Sequence, residues 1–263
     1  MKLVEIYEYP VKGCGGHSLC CAPVGRRGLG RDRRLMLVDE AQQFLSQRTL
    51  PALATLTVVW QDDGLRFVAS DGRQSPLWQP EEASGRLTTT IWGQQVRLHC
   101  GASSLDQWLS EVLNKKVTLV YQAEEDIRPV VGRGGRPGDE VSLADGYPLL
   151  LTSQASLADL NGRLAQPVGM ARFRPNLVID GEQPFIEDNW QRLRIGEVVL
   201  RVAKPCARCK VITIDQQTGV AGKEPLRTLS TYRQRDNKVY FGVNLIPENS
   251  GIVHRQDVVE VLA

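Results

Sequence analysis

Arg86-Leu87-Thr88-Thr89-Thr90-Ile91-Trp92-Gly93-Gln94-Gln95-Val96-Arg97-Leu98-His99-Cys100 is two short runs around one glycine. Threonine, valine and isoleucine suit a pleated strand, and glycine suits a tight reversal, so the stretch predicts a hairpin. The same pattern lies upstream. Leu53–Trp60 reads as a strand, Asp62-Asp63-Gly64 as a turn and Leu65–Ala69 as the returning strand. Leu35-Met36-Leu37-Val38 is a further candidate. Closely spaced strands with few helical patterns predict a barrel or sandwich.

Beyond the hairpin the period changes. Leu105, Trp108, Leu109, Val112 and Leu113 fall at helical spacing, with Ser103 or Ser104 as N-cap, and this helix closes the first unit. Strands resume at Val117–Tyr121 and Pro148–Thr152. Ser153 is expected to cap a helix carrying Leu157, Leu160 and Leu164. Further strands are expected at Leu177–Ile179, Val198–Val202, Val211–Ile214 and, finally, Val258–Ala263, with Pro225 opening a short helix before the last. Residues 131–139 are loop by composition, and their glycines lack the strand-to-helix context of a phosphate site. We read them as a mobile loop, with a functional and a solvated role equally open. The expected fold class is mostly β with a few helices (α+β), in two β-barrel-like units at 1–116 and 117–263.

Composition sets limits. The chain has 263 residues, 42% hydrophobic and 24% charged, which suits a full core. A net charge of +2 argues against a nucleic-acid binder. No apolar run approaches the roughly 18 residues a membrane span needs, and two glutamates interrupt the first ten residues where a secretory signal would be apolar. A cytoplasmic protein, with neither membrane nor nucleic-acid partner, is expected. Six cysteines in such a chain favour metal binding or catalysis over a disulfide framework.

The sharpest chemical feature is Lys204-Pro205-Cys206-Ala207-Arg208-Cys209-Lys210. A thioredoxin-like pair needs a helix N-terminus, and the β-branched residues that follow predict a strand instead. A structural zinc site needs four ligands, so Cys14, His17 and Cys20 would have to converge on Cys206 and Cys209. A single exposed thiolate among cations is the third reading, and a soft anionic sulfur suits a thiophilic metal. Two small core residues beside a turn is the bland one. Arginines at 26, 27, 31, 33, 34 and 174 suit phosphate, or simply a solvated surface.

Tyr9-Pro10-Val11-Lys12-Gly13-Cys14, Arg31-Asp32-Arg33, Ser156–Asn161, Phe173-Arg174-Pro175-Asn176, and Cys206–Cys209 running to Asp215 and Thr218-Gly219 occur in this order along nearly the whole chain. Together they resemble the MOSC-domain family in its two-part form, with an N-terminal MOSC β-barrel before the MOSC domain. The bacterial YcbX-type proteins and the mitochondrial amidoxime-reducing component are similar. The resemblance implies a pterin-based molybdenum cofactor between the two parts, with Cys209 as both catalytic group and protein ligand to molybdenum. It implies that Lys12, Arg33, Arg174, Asn176 and Arg208 hold the pterin and its phosphate, with Arg48 and Ser153 as weaker matches. The family description also carries pyridoxal phosphate binding. Gly13 and Ala207 replace serines of relatives, and Asn244 replaces an aromatic residue of the mitochondrial proteins, which bears on substrate preference.

The implied activity is molybdenum-dependent reduction of N-hydroxylated compounds: amidoximes, hydroxylamines and N-hydroxylated bases, a detoxification. The alternative is a persulfide or cofactor carrier without reductase activity, as in molybdenum-cofactor sulfurases. YcbX-type relatives carry a C-terminal ferredoxin-like domain, whereas no cysteine follows Cys209 here. No iron–sulfur cluster is therefore expected in this chain, and an external ferredoxin- or flavin-type electron donor is.

Overall fold

The computed structural model describes residues 1–61 and 64–263; the expected turn residues Asp62 and Asp63 lie outside the described residues. In chain order the elements are β1 (Leu3–Glu8), β2 (His17–Leu19), β3 (Cys21–Gly25), β4 (Gly28–Leu29), β5 (Leu35–Val38), β6 (Thr57–Gln61), β7 (Gly64–Val68), β8 (Ser84–Ile91), β9 (Gln94–Cys100), α1 (Ser103–Leu113), β10 (Thr118–Tyr121), β11 (Leu149–Ser153), α2 (Gln154–Asn161), β12 (Leu177–Ile179), β13 (Arg192–Ile195), β14 (Val198–Arg208), α3 (Leu226–Ser230), β15 (Gln234–Arg235), β16 (Lys238–Pro247), β17 (Gly251–His254) and β18 (Val259–Val261). The chain is mostly sheet with a few helices, as its sequence predicts.

The hairpin of β8 and β9 forms with Ile91 opposite Gln94. Trp92 and Gly93 both take positive φ (50° and 85°), the backbone of a type I′ reversal. This turn leaves Trp92 56% exposed at the tip, where it becomes part of the site described below.

The largest sheet runs β18-β13-β14-β16-β11-β12-β1-β2, with β15 beside β16. Smaller sheets are β5-β10-β9-β8, β17-β3-β4 and β6-β7. Strand pairing crosses residue 116 in both directions. β1 pairs with β12 in the large sheet, while β10 pairs with β5 and β9. One apolar core joins Leu3, Ile6, Leu151, Leu177, Leu200 and Leu245 of the large sheet. Another joins Leu35, Leu37, Phe67 and Trp78 to Leu105, Leu109 and Leu113 of α1. The long β14–β16 ribbon shifts register between Val202 and Lys204 and again between Pro205 and Ala207. Such bulges bend a strand and re-aim its side chains, here at Cys206 and just before Cys209.

Several local expectations need correction. Pro51–Thr55 is a 3-10 turn, so the strand begins only at Thr57; Pro51 fits the first helical position and has no N–H to leave unpaired. Lys210–Thr213 is also a 3-10 turn, not a strand. Burial decides it, because Ile212 packs with Phe173, Leu229 and Phe241, and that packing outweighs β-branched propensity. Helix α1 is preceded by Ala102 without a side-chain cap, while Asp106 of its first turn accepts the Leu119 N–H at 2.8 Å. Ser153 does cap α2, its hydroxyl accepting the Ser156 N–H at 3.1 Å, but the helix ends at Asn161, before Leu164. The loop at 131–139 is pinned on one side. Arg201 pairs with Asp139 at 2.6 Å, the Tyr147 hydroxyl donates to the Arg133 carbonyl, and a side chain at Gly134 would meet the Ala203 backbone at 2.7 Å. Among the described residues, no helix is long and apolar enough to cross a membrane.

Candidate functional site

A cavity of about 450 Å³ opens beside the β14–β16 ribbon. Its walls come from the segment after β1 (Lys12, Gly13), from Arg33, from Ser46–Arg48, from the Trp92 tip, from Ala144–Tyr147, Leu149 and Leu150, from Phe173, Arg174 and Asn176, and from Lys204 and Cys206–Cys209. It thus gathers Lys12, Arg33, Arg48, Arg174, Asn176, Arg208 and Cys209. Ser153 is not among the lining residues; it is fully buried as the cap of α2.

Lys12 is 5% exposed and donates to the Leu143 carbonyl at 2.9 Å and the Asp145 carboxylate at 2.5 Å. Burial lowers its pKa, and Asp145 opposes that shift. Asp145 stands at the cavity wall, 58% exposed yet near enough to protein atoms for desolvation to act. That desolvation would raise its carboxyl, but Lys12 and Arg48 outweigh it and hold the group well below the usual carboxylate range. Asp145 is therefore ionised at neutral pH.

Arg48 bridges acid and thiol. Its Nη1 lies 3.5 Å from the Asp145 Oδ2 and 3.6 Å from the Cys209 Sγ, while its guanidinium stacks 4.8 Å from the Trp92 ring. Its Nη2 is buried without a partner among the described residues. Arg208 donates to the Cys206 Sγ at 3.1 Å and to the Phe173 carbonyl at 2.6 Å, and its buried Nε is likewise unpartnered. A buried donor left unpaired costs about 1–3 kcal/mol. Both of these nitrogens are closed off from solvent, so an anionic ligand in the cavity would meet the other, cavity-lining parts of the two side chains. Cys209 is exposed and sits immediately before the 3-10 turn.

Arg33 and Arg174 are held by the protein itself. Arg33 contacts both Asp32 oxygens at 2.9 and 2.7 Å, the Asn176 side-chain oxygen at 3.2 Å and the Arg174 carbonyl at 3.1 Å. Arg174 donates to the Cys14 carbonyl at 2.6 Å. Both guanidiniums pack on the Tyr9 ring, at 4.4 and 4.3 Å. Burial and the neighbouring Arg33 charge lower the Arg174 pKa to about 10, so it stays a cation. Both residues carry left-handed backbone (φ 50° and 54°), a strain that persists where surrounding contacts over-determine it. Asn176 ties this corner to the sheet, donating to the Tyr7 carbonyl at 3.2 Å and accepting from the Leu150 N–H at 3.2 Å.

The zinc alternative does not assemble. Cys14 is buried, its thiol pushed up to about 12 by desolvation. His17 pairs with Glu8, and Cys20 lies beside Cys21. Among the described residues the one cluster with metal-ligand spacing is His99, Glu125 and Asp126, and Arg86 already contacts all three. Sequence reading missed Asp145, Trp92 and Tyr147 in the cavity wall. Asp145-Gly146 looks like any turn, and only Trp92, exposed at a hairpin tip, carried a usable signal.

Residues 1–116 match the MOSC N-terminal beta barrel domain, and residues 138–260 match the MOSC domain. Human mitochondrial amidoxime-reducing component 1 is 32% identical over 287 residues, covering 99% of this chain and 82% of that one. The chain belongs to the MOSC-domain family. Macaque mitochondrial amidoxime reducing component 2 is 33% identical to this MOSC chain, covering 89% of it and 73% of the relative. Rice molybdenum cofactor sulfurase is 33% identical over 92% of the chain, which spans only 32% of that protein. A solved structure of YiiM from Geobacillus stearothermophilus covers 71% of this MOSC chain and 75% of its own, at 11% identity and a TM-score of 0.35.

Proposed function

We propose that the cavity holds a molybdenum cofactor through Cys209 and that the protein reduces N-hydroxylated compounds. The observation that carries this reading is the conjunction in one cavity of an exposed thiol, Cys209, with the cations Lys12, Arg33, Arg48, Arg174 and Arg208. The donor set fits a group bearing a soft metal at one end and a phosphate at the other. Cys209 would supply a soft ligand. Lys12, Arg33, Arg48, Arg174, Asn176 and Arg208 would hold the pterin and its phosphate, with charge-assisted hydrogen bonds where guanidinium meets phosphate. The name of the amidoxime-reducing relatives points to the substrate class.

The bound group would supply two-electron redox chemistry. The overall change is R–NHOH + 2e⁻ + 2H⁺ → R–NH₂ + H₂O. The chain's own part is position and charge. Asp145, ionised, accepts a hydrogen bond from a substrate N–H or O–H, and Arg48 holds it in place. Because Asp145 is already deprotonated, the protons come from solvent. Electrons come from a separate ferredoxin- or flavin-type donor. Lys12 and Lys204 are engaged with Asp145 and Tyr147, and we assign neither to pyridoxal phosphate.

The rival is a persulfide or cofactor carrier, favoured by the likeness to the sulfurase and by the exposure of Cys209. Protein from a host that makes the cofactor distinguishes the two. Stoichiometric molybdenum and pterin with benzamidoxime turnover under a chemical reductant support the reductase. Cyanide-releasable sulfur without turnover supports the carrier.

A further inference from the structure

A second cavity of about 340 Å³ adjoins the first and shares Lys204 and Ala207 with it. Four cations line it, Arg133, Lys204, Arg235 and Lys238, against one carboxylate, Asp236. The whole chain carries a net charge of only +2, so this groove is a local concentration of positive charge.

The fold builds that concentration on purpose-made backbone. Asp236 and Asn237 both take positive φ (48° and 57°) and close a two-residue turn between β15 and β16. The turn sets Arg235 directly opposite Lys238. Like charges directly opposite on paired strands are destabilising, so folding alone does not favour the pair. Arg235 reaches Asp188 at 3.4 Å and lies 5.0 Å from the Tyr240 ring. Arg133, Lys204 and Lys238 form no ion pair among the described residues. Arg133, Arg235 and Lys238 are exposed.

We propose that this groove is the docking surface for an acidic electron-transfer protein, the donor that the reductase reading requires. The inference rests on that reading. Exposed cations of one sign steer an oppositely charged partner and hold it briefly, as transient redox encounters need. Because the groove shares a wall with the Cys209 cavity, a partner seated there has its redox centre beside the site that consumes electrons. A one-electron donor is oxidised once per encounter, so two encounters balance one N–O cleavage.

The test uses the full chain, a plant-type two-iron ferredoxin as probe, and the double variant Arg133→Glu, Lys238→Glu, neither residue lining the Cys209 cavity. Binding is titrated at about 0.05 M and about 0.3 M salt, where screening lengths differ more than twofold. The wild type should bind more tightly at low salt, and the variant should lose about tenfold or more in affinity. Turnover with dithionite-reduced methyl viologen should not change. Equal ferredoxin binding by variant and wild type overturns the proposal. A raised KM for phosphate-bearing N-hydroxylated substrates under methyl viologen, without a change in ferredoxin binding, makes the groove a subsite for small anions instead. Absent turnover with every donor while ferredoxin binding still depends on the groove faults the reductase reading and leaves the docking surface standing.

Discussion

Arg33 and Arg174 line the same cavity as Arg48 and Arg208 but are held in a different way. The first pair is locked by Asp32, Asn176, the Cys14 carbonyl and the Tyr9 ring. The second pair contacts the two cysteine sulfurs, and each member keeps one buried nitrogen without a partner among the described residues. The first corner is complete in its protein contacts; the second is not. Arginines that the family resemblance treats alike thus divide into those that build the cavity as well as line it and those that chiefly line it.

The largest expected effect lies on the incomplete side. Cys209→Ala should abolish N-hydroxylated substrate reduction with thermal stability unchanged, because the thiol is exposed and supports no core contact. Cys206→Ala should lose far less, since that sulfur meets Arg208 rather than Arg48. Equal loss from both, in a steady-state assay with a chemical reductant, would erase the distinction between the two sulfurs.

On the complete side the expected damage is to folding. Arg33→Ala strands the fully buried Asp32 carboxylate, and breaking a buried pair from one side costs about 3–5 kcal/mol. Urea unfolding of the cofactor-free protein measures it. A change under about 1 kcal/mol would mean that Arg33 behaves as a surface charge. Arg48→Ala should do the reverse, weakening cofactor retention by about 1.5–3 kcal/mol while moving the unfolding midpoint little. Pterin per chain after gel filtration reads this, and undiminished pterin would place Arg48 with the builders.

The smallest effect carries the contrast between satisfied and unsatisfied groups to an acid outside the cavity. Glu187 is fully buried; one oxygen accepts from the Ser156 hydroxyl at 3.2 Å and the other has no partner among the described residues. Desolvation, with Asp188 nearby, raises its pKa from 4.5 to about 7. The folded state therefore holds a proton the unfolded chain has released. Its contribution is full below pH 4.5 and is lost as pH rises through about 7. Glu187→Gln should flatten this loss, gaining on the order of 1 kcal/mol over wild type at pH 8 relative to pH 5. Parallel melting curves across that range would show that Glu187 is not the group responsible.

How much of this was legible follows from the range of the forces involved. The Trp92-Gly93 hairpin, α1 and the Ser153 cap are set by neighbours a few residues apart, and the sequence displays them. The turn at Lys210–Thr213 is set by Ile212 packing against distant Phe173 and Phe241, so β-branched residues misled there. In the site, Cys209 and the scattered cations were visible through the family resemblance. Asp145 was not, because only its encounter with Lys12 and Arg48, 133 and 97 residues away, distinguishes it from a turn aspartate. Ser153 was visible as a cap, and its burial away from the cavity wall was not.

The cavity draws its wall from Lys12 at one extreme and Asn244 at the other, and β1 is stitched between β12 and β2. No stretch of nascent polypeptide short of Asn244 contains the whole wall, and contacts of such long sequence separation close late and slowly. A ligand that needs the whole wall can therefore be seated only once this span has been made, so filling the cavity is a step that follows translation through Asn244.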